Sequence, residues 1–161
     1  MEKLQQADLQ YMRMAIELAT DNVLSGAGGP FGAVIVKNGK VIATGVNKVT
    51  ASNDPTAHAE VTAIRNAAAA LRNFELKGCT IYSSCEPCPM CLGAIYWSRI
   101  DALYFGSTAR DAADAGFDDS LFYEELRKSI GDRSLTTFNV MRQEAGESFE
   151  AWKDSSGRIE Y

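Results

Sequence analysis

The spacing of hydrophobic positions predicts a helix near the N-terminal end of the chain. Apolar residues recur there at intervals of three and four, which is the period of one helix face; they are Leu9, Met12, Ile16, Ala19 and Val23. The pattern stops at residues 25–30, where a serine, three glycines and a proline are typical of a loop. We therefore expect an amphipathic helix followed by a loop.

Two short runs rich in β-branched residues follow this loop. They cover residues 31–36 and 41–46, and the sequence Lys-Asn-Gly-Lys joins them. Asn-Gly favours a type I′ turn, because both central residues of that turn need a positive φ. The pattern therefore predicts a β-hairpin.

Predicted helices and strands alternate along the rest of the chain. A helix is expected over roughly 56–72, with Asp54 as its N-cap and Pro55 in its first turn. The other predicted elements are strands at 79–84, 102–106 and 137–141, a helix from about 87 or 88 to 98, and helical turns across 109–129. This order of elements predicts one α/β domain over residues 1–161, with helices layered on a mixed sheet of five strands.

Composition and charge limit the classes of partner. Apolar residues make up 46% of the 161 residues and charged residues 23%, which is typical of one folded domain. No run of about 18 apolar residues appears, and the first residues lack the apolar stretch of a signal peptide, so we expect a cytoplasmic protein with no membrane partner. The net charge of −5 favours a small ligand over a nucleic-acid backbone.

The cysteines are the first indication of chemistry. All four lie between positions 79 and 91, and the chain has a single histidine, His58. Such a cluster favours metal ligation over disulfides in a cytosolic protein. Cys88 and Cys91 are three residues apart near a predicted helix start, which places both sulfurs on one face and favours the thiolate form. His58 lies near the start of the preceding predicted helix, so two helix starts packed on one sheet can bring three zinc ligands together.

A catalytic zinc site is the interpretation that these residues favour. Three protein ligands leave one tetrahedral position open for water, whereas a structural zinc is closed by four. Glu60, two residues after His58, is placed to carry protons beside the metal. The pattern H-x-E followed by P-C-x-x-C is a known signature of zinc-dependent nucleobase deaminases. The sequence therefore predicts Zn²⁺ held by His58, Cys88 and Cys91, with Glu60 as the catalytic acid–base.

Other interpretations of the same residues stay open at this point. The C-x-x-C pair occurs in thioredoxin-like redox sites, although the flanking pattern of those sites is missing. A closed structural zinc site could use all four cysteines, Cys79, Cys85, Cys88 and Cys91. That site would leave His58 and Glu60 without a purpose, and Cys79 and Cys85 are better explained as small packing residues.

With these motifs, in residues 54–60 and 84–95, the sequence resembles the cytidine deaminase-like superfamily. The tRNA adenosine deaminases share both segments, so they do not select a substrate. Other segments resemble the bacterial guanine deaminases of that fold more specifically; they are residues 28–33 with Asn47, Tyr96 with Trp97, residues 112–120, and the tail with Trp152 and Tyr161. The resemblance implies a three-layer α/β/α fold.

The resemblance also implies roles for individual residues. Asn47 would hydrogen-bond a purine ring, Phe31 and Trp97 would pack near it, and Phe117 would form an aromatic wall. The remaining expected site residues are Ala59 as a substrate contact, Asp119 as a second catalytic acid–base group, and Tyr161 as a residue that closes the pocket from a partner chain. Without the resemblance, Asp119 with Asp118 could simply cap the next helix, Asn47 could be a turn residue, and the aromatic residues could belong to the core.

The activity that the resemblance implies is zinc-dependent hydrolysis of guanine to xanthine and ammonia. The expected partners are a purine base and a second copy of the chain, a homodimer in which about 145–161 crosses to the neighbour; no nucleic acid is expected. One alternative is a tRNA adenosine deaminase, against which residues 132–161 carry six acidic and four basic side chains. Further alternatives are a deaminase of another amino-purine or amino-triazine, and a non-enzymatic zinc-stabilised binding module.

Overall fold

The computed structural model describes residues 5–161, which form two compact units. The first unit ends at Asp119, and the second is Ser120–Tyr161. The elements of the first unit are α1 (Gln6–Leu24), β1 (Gly32–Lys37), β2 (Lys40–Val46), α2 (Val49–Ser52), α3 (Ala59–Leu71), β3 (Cys79–Cys85), α4 (Pro89–Trp97), β4 (Ala102–Ser107) and α5 (Ala109–Asp114).

The sheet of the first unit is mixed and has four strands in the order β2-β1-β3-β4. Strand β1 pairs antiparallel with both β2 and β3, while β3 and β4 are parallel. The predicted hairpin is confirmed, since Asn38 and Gly39 have φ angles of 50° and 71°. The mixed sheet is also confirmed, but the predicted number of five strands is wrong for the described residues.

Helices cover both faces of this sheet, which gives the three layers that the resemblance implied. Alternate residues of β1 serve the two faces, as the two-residue period of a strand requires. Ala33 and Ile35 pack in the core cluster that includes residues of α3 and α4, whereas Val34 and Val36 pack with α1. A Cβ atom at Gly45 of β2 would collide with the backbone of α3, so the start of α3 lies directly on the sheet.

The buried face of helix α1 overlaps the predicted apolar stripe only in part: Ala19 of the stripe is buried, and Met12 packs against the buried cluster of Val34 and Val36. The residues that it buries are Ala15, Ala19 and Asn22. Leu9, Ile16 and Val23 of the predicted stripe are instead exposed. The small alanine side chains let the helix approach the sheet so closely that a Cβ atom at Gly32 would collide with the Ala15 carbonyl oxygen.

Helix α3 begins at Ala59, three residues later than predicted, and His58 occupies its N-cap position. The prediction that Asp54 caps this helix is wrong. Its Oδ1 atom instead accepts hydrogen bonds from the backbone N–H and the hydroxyl of Thr56, at 2.8 and 2.6 Å. Asp54 therefore closes a turn ahead of the helix, which is the competing local use of an aspartate side chain. This turn leads the chain into His58.

The second unit is made of helical elements. They are α6 (Ser120–Arg127), a 3₁₀ turn (Ile130–Asp132) and α7 (Arg142–Asp154). The strand predicted at 137–141 does not form: these residues adopt neither helix nor strand, and Met141 has a left-handed φ of 53° directly before α7. A strand needs a neighbouring strand for its backbone hydrogen bonds, and residues 137–141 pair with none. Within residues 5–161, no helix is long and apolar enough to cross a membrane.

Candidate zinc site

One imidazole and two thiols converge in the first unit. The ligand atoms of His58, Cys88 and Cys91 all lie within 4.8 Å of one another, and they form the one such metal-ligating group in the described residues 5–161. The Nδ1 atom of His58 is 3.5 Å from the Cys88 sulfur and 3.4 Å from the Cys91 sulfur. One nitrogen and two sulfur donors at this separation are a set that zinc takes in proteins, so the residues fit the metal.

Two helix starts produce this convergence. His58 is the N-cap of α3, Cys88 is the N-cap of α4, and Cys91 lies in the first turn of α4 after Pro89. Proline suits a first helical position because its missing N–H would have no partner there. The positive end of the α4 dipole lies at the two sulfurs and favours their thiolate form. The predicted arrangement of two helix starts on one sheet is confirmed.

A four-cysteine site is excluded by the length of β3. Cys79 begins this strand and Cys85 ends it. Six residue steps of about 3.3 Å separate the two cysteines by roughly 20 Å. The Cys85 sulfur lies 3.6 Å from the Thr108 carbonyl oxygen. Both cysteines are buried packing residues of the sheet.

The three ligand side chains shift one another's pKa values. The hydrogen bond from Cys91, followed by the one with His58, lowers the pKa of the Cys88 thiol to about 4 against the opposing effect of burial. The hydrogen bond with Cys88 raises the pKa of His58. The hydrogen bond with Cys88 and burial raise the pKa of Cys91. The lowered pKa favours the thiolate form of Cys88, which is the form that binds metal.

Glu60 places a buried carboxyl group beside these ligands. It is the second residue of α3, and 5% of its surface is exposed. Its Oε1 atom accepts a hydrogen bond of 3.0 Å from the hydroxyl of Ser83 on β3. Burial raises the pKa of Glu60, which outweighs the hydrogen bonds that lower it. A carboxyl group of this kind takes up and releases protons closer to neutral pH than an exposed glutamate does.

Three of the residues expected to contact a base are brought together. The rings of Phe31 and Phe117 meet edge to face, with centroids 5.0 Å apart and an interplanar angle of 87°. The backbone N–H of Asn47 donates to the Phe31 carbonyl oxygen at 3.1 Å, and its side-chain Oδ1 accepts from the Val49 N–H at 3.3 Å. Phe31, Asn47 and Phe117 therefore form one cluster.

Asp119 is linked electrostatically to the zinc ligands. Burial, and after it the negative charge of Cys88, raises the pKa of Asp119, with smaller contributions from Asp118 and Glu86. The carboxyl group of Asp119 is therefore a second titratable group that interacts with the metal ligands.

The remaining predicted residues lie in less informative positions. Ala59 is the fully buried first residue of α3, between His58 and Glu60. Trp97 ends α4 with 64% of its surface exposed, and the Arg99 guanidinium lies 5.7 Å from its ring centroid. Tyr161 is the last residue of the second unit and is exposed. The substrate roles of these three residues stay predictions.

Two buried polar residues of this region escaped the sequence analysis. Ser83 lies in the middle of β3 and hydrogen-bonds to Glu60. Asn22 lies on the buried face of α1 and hydrogen-bonds to the Asn47 carbonyl oxygen. A polar residue inside a predicted buried strand was the available signal for Ser83. For Asn22 the signal was its spacing of three and seven residues from Ala19 and Ala15, which places the three small residues on one face of the helix. The larger apolar residues of α1 made this face harder to recognise in the sequence.

The fold and the three-ligand site define a zinc-dependent deaminase domain. Residues 5–107 match the family described as the cytidine and deoxycytidylate deaminase zinc-binding region. The chain belongs to this family of zinc-dependent hydrolytic enzymes.

Individual relatives extend the similarity beyond the zinc-binding region. The chain is 51% identical over 151 residues to guanine deaminase of Bacillus subtilis, with 94% of this chain and 97% of the relative covered. It is 38% identical over 149 residues to a tRNA-specific adenosine deaminase of Haemophilus influenzae, with coverage of 85% and 86%.

Solved structures agree with these relatives. The X-ray structure of guanine deaminase from Bacillus subtilis superposes with a TM-score of 0.93 at 49% identity, covering 98% of this chain and 99% of that chain. Guanine deaminase from Nitrosomonas europaea gives a TM-score of 0.66 at 32% identity, with coverage of 73% and 68%. The α/β fold class and the resemblance to guanine deaminases are thus confirmed.

Proposed function

We propose that this chain hydrolyses guanine to xanthine and ammonia. The observation that carries the proposal is the convergence of His58, Cys88 and Cys91 beside the buried carboxyl of Glu60. The choice of guanine follows the Bacillus subtilis relative, whose similarity covers 94% of the chain and continues past residue 107, where the shared zinc-binding region ends.

Zinc held by His58, Cys88 and Cys91 would have one position left for water, and it would supply the activation that lowers the pKa of such water to about 7. The side chains around it handle the protons and the base. In the overall reaction a carbon–oxygen bond forms at carbon 2 of guanine and the bond from carbon 2 to the amino nitrogen breaks.

Glu60 is the proton carrier of the proposed reaction. Its carboxylate takes a proton from the attacking water and delivers it to ring nitrogen N3, which makes carbon 2 more electrophilic. The carboxylate then takes the proton of the new hydroxyl group on carbon 2 and passes it to the departing amine, which leaves as ammonia. The raised pKa that burial gives Glu60 suits both uptake and release of a proton, and the Ser83 hydroxyl holds the carboxyl group in one orientation.

The cluster of Phe31, Asn47 and Phe117 would bind the base. The two phenyl rings offer apolar contact to a planar purine. Because the Oδ1 atom of Asn47 accepts the Val49 N–H, its Nδ2 group is the donor available to the purine ring. Asp119, whose pKa is raised by burial and by Cys88, would assist at the amino group that leaves. Ala59 and Trp97 complete the proposed contacts.

An ammonia-release screen tests this function directly. Guanine, adenine, cytosine and their nucleosides are compared as substrates for the zinc-loaded chain, and guanine should give the highest rate. The variant Glu60→Gln should keep its zinc and lose about 10²–10⁴-fold in turnover, the usual contribution of a positioned acid–base group. Glu17→Gln, at an exposed glutamate of α1, is the matched control and should match the wild type. Absence of ammonia from every base would reject the function in favour of a zinc-stabilised binding module.

The tRNA adenosine deaminase alternative is favoured by one observation, the 38% identity to the Haemophilus influenzae relative. Enzymes that act on a base within RNA need contacts to the backbone, and those contacts weaken as salt is added. Binding of tRNA to the chain at several salt concentrations separates the two functions. Tight, salt-sensitive binding together with inosine formation would support the alternative.

We further propose a homodimer in which residues of about 145–161 cross to the neighbouring subunit and Tyr161 closes its pocket. The second unit supports this arrangement because it exposes large apolar side chains, among them Phe138 and Val140 with 80% and 72% of their surface exposed. Such side chains usually mark a surface that binds another protein.

Subunit complementation tests the crossing of the tail. Inactive Glu60→Gln chains are mixed and refolded with chains that lack residues 157–161. If the tail serves the partner, hybrid dimers contain one intact site and restore about a quarter of the wild-type activity after random pairing. Failure to restore activity in hybrid dimers, with both parents inactive, would contradict the crossing.

A further inference from the structure

Asn22 is a buried polar residue in the last turns of α1, with 5% of its surface exposed. Its Nδ2 group donates to two carbonyl oxygens, those of Gly29 at 2.8 Å and Asn47 at 2.9 Å. A side-chain amide has two N–H hydrogens, so both are used. Asn22 therefore joins α1 to two segments that are 7 and 25 residues away in the chain.

These hydrogen bonds belong to a closed ring. The Gly29 carbonyl oxygen also accepts the Phe31 N–H at 2.8 Å, and the Phe31 carbonyl oxygen accepts the Asn47 N–H at 3.1 Å. The carbonyl oxygen of Asn47 returns the ring to Asn22. We call this arrangement the Asn22 ring; its members are Asn22, Gly29, Phe31 and Asn47. Two of its members are proposed contacts of the base.

The ring is packed too tightly for its members to shift independently. A Cβ atom at Gly28 would collide with the Asn47 carbonyl oxygen and would lie 2.9 Å from the Asn22 Nδ2 atom. A Cβ atom at Gly29 would lie 3.4 Å from the Phe31 ring and 3.5 Å from the Asn47 side chain. A change in the backbone of the ring would therefore move the Phe31 ring and the Asn47 side chain, the two groups that we propose to contact the base.

We propose that Asn22 is a positioning residue that holds Phe31 and Asn47 in place for binding of the base. The inference rests on the proposed function of the site. The two hydrogen bonds require the amide group of asparagine. Aspartate would place an oxygen against the two carbonyl oxygens, and alanine would leave both without this donor. Asn22 acts through its neighbours, so its loss should weaken binding of guanine more than it slows the chemical step.

Steady-state kinetics of Asn22→Ala and Asn22→Asp provide the test. We expect the KM for guanine to rise about tenfold, because misplacing a contact group by an ångström costs up to roughly 10²-fold. The kcat and the zinc content should stay close to those of the wild type, because the zinc ligands and Glu60 are not members of the Asn22 ring. The matched control is Asn66→Ala: the exposed Asn66 of α3 also donates an amide hydrogen to a strand carbonyl, that of Thr44, at 2.9 Å.

Amide hydrogen exchange gives a second readout that needs no activity. The N–H groups of Phe31 and Asn47 are both donors in the Asn22 ring and should exchange faster in the two Asn22 variants, while the N–H of Ile81 in the central strand β3 keeps its protection. A wild-type chain that releases no ammonia from guanine would reject the proposed function. In that case the exchange rates still decide whether Asn22 holds these two residues.

Several results would overturn the inference. One is an unchanged KM in folded Asn22 variants; another is unchanged exchange at Phe31 and Asn47. A fall in kcat accompanied by loss of zinc would indicate a general structural role instead. If both variants fail to fold, Gly28→Ala perturbs the ring from the Asn47 side, and a KM equal to the wild-type value in that variant would contradict the inference.

Discussion

Replacing Ser83 by alanine removes the hydroxyl that holds the Glu60 carboxyl group at 3.0 Å. Both side chains are buried, with 2% and 5% of their surface exposed, so water does not readily replace the lost donor. Hydrogen bonds to charged groups contribute about 1.5–3 kcal/mol. If about two thirds of this stabilisation acts on the transition state, the barrier rises by about 1–2 kcal/mol and kcat falls about 5- to 30-fold.

The assay is ammonia release from guanine by the wild type, Ser83→Ala, Glu60→Gln and the double variant. Because Ser83 acts through the carboxylate, its removal should change the rate less than about twofold once Glu60 is already glutamine. Zinc content should be the same in all four proteins. Non-additivity of this size separates an effect on proton transfer from a general loss of stability.

The matched control is Ser84→Ala at the next residue of β3. Ser84 is also buried, but its hydroxyl accepts the Gly32 N–H at 3.0 Å instead of contacting Glu60. This variant should lose stability and keep kcat within about twofold of the wild type. The reasoning is refuted if Ser83→Ala slows the Glu60→Gln background as much as it slows the wild type, or if Ser84→Ala slows the wild type equally.

Three further predictions concern the fold and the metal. Gly45→Ala should lower the free energy of unfolding, measured in urea, by about 3 kcal/mol or more, because the added Cβ would collide with the Ala59 backbone. The control Gly39→Ala faces open space at a φ of 71° and should lower it by only about 1–2 kcal/mol. Equal losses in the two variants would contradict this packing. Burial raises the pKa of Tyr82 above 10.0, so its stabilising contribution is full below pH 10 and is lost as the pH rises further. Tyr82→Phe should therefore lose less stability than the wild type between about pH 10 and 12, and parallel losses of the two proteins would refute this. Cys88→Ser should reduce zinc from about one ion per chain to a small fraction, measured by atomic absorption, and full retention would exclude Cys88 as a ligand.

Local features of the sequence predicted the hairpin and the zinc ligands well. The turn at Asn38 and Gly39 requires positive φ at both residues, and few other dipeptides meet that requirement. The ligands follow from two short motifs, each at a helix start, where spacing of a few residues fixes which side chains share a face. In both cases the determining contacts lie close together in the chain.

Features that depend on distant contacts were predicted poorly. The buried face of α1 is decided by the fit of small residues to the sheet. The apolar spacing included the buried Ala19, but it missed Ala15 and favoured larger residues that are exposed. The strand expected at 137–141 needed a neighbouring strand for its backbone hydrogen bonds, and these residues adopt neither helix nor strand. Ser83 and Asn22 find their partners Glu60 and Asn47 23 and 25 residues away, so the local signals at these residues do not identify what they bind.

X-ray absorption at the zinc edge of the zinc-loaded protein tests the central claim most directly. His58, Cys88 and Cys91 predict two sulfur neighbours at about 2.3 Å and two nitrogen or oxygen neighbours at about 2.0–2.1 Å, one of them exchangeable. Replacing His58 by alanine should remove one of the lighter neighbours. Four sulfur neighbours, or a spectrum that His58→Ala leaves unchanged, would contradict a three-ligand catalytic zinc.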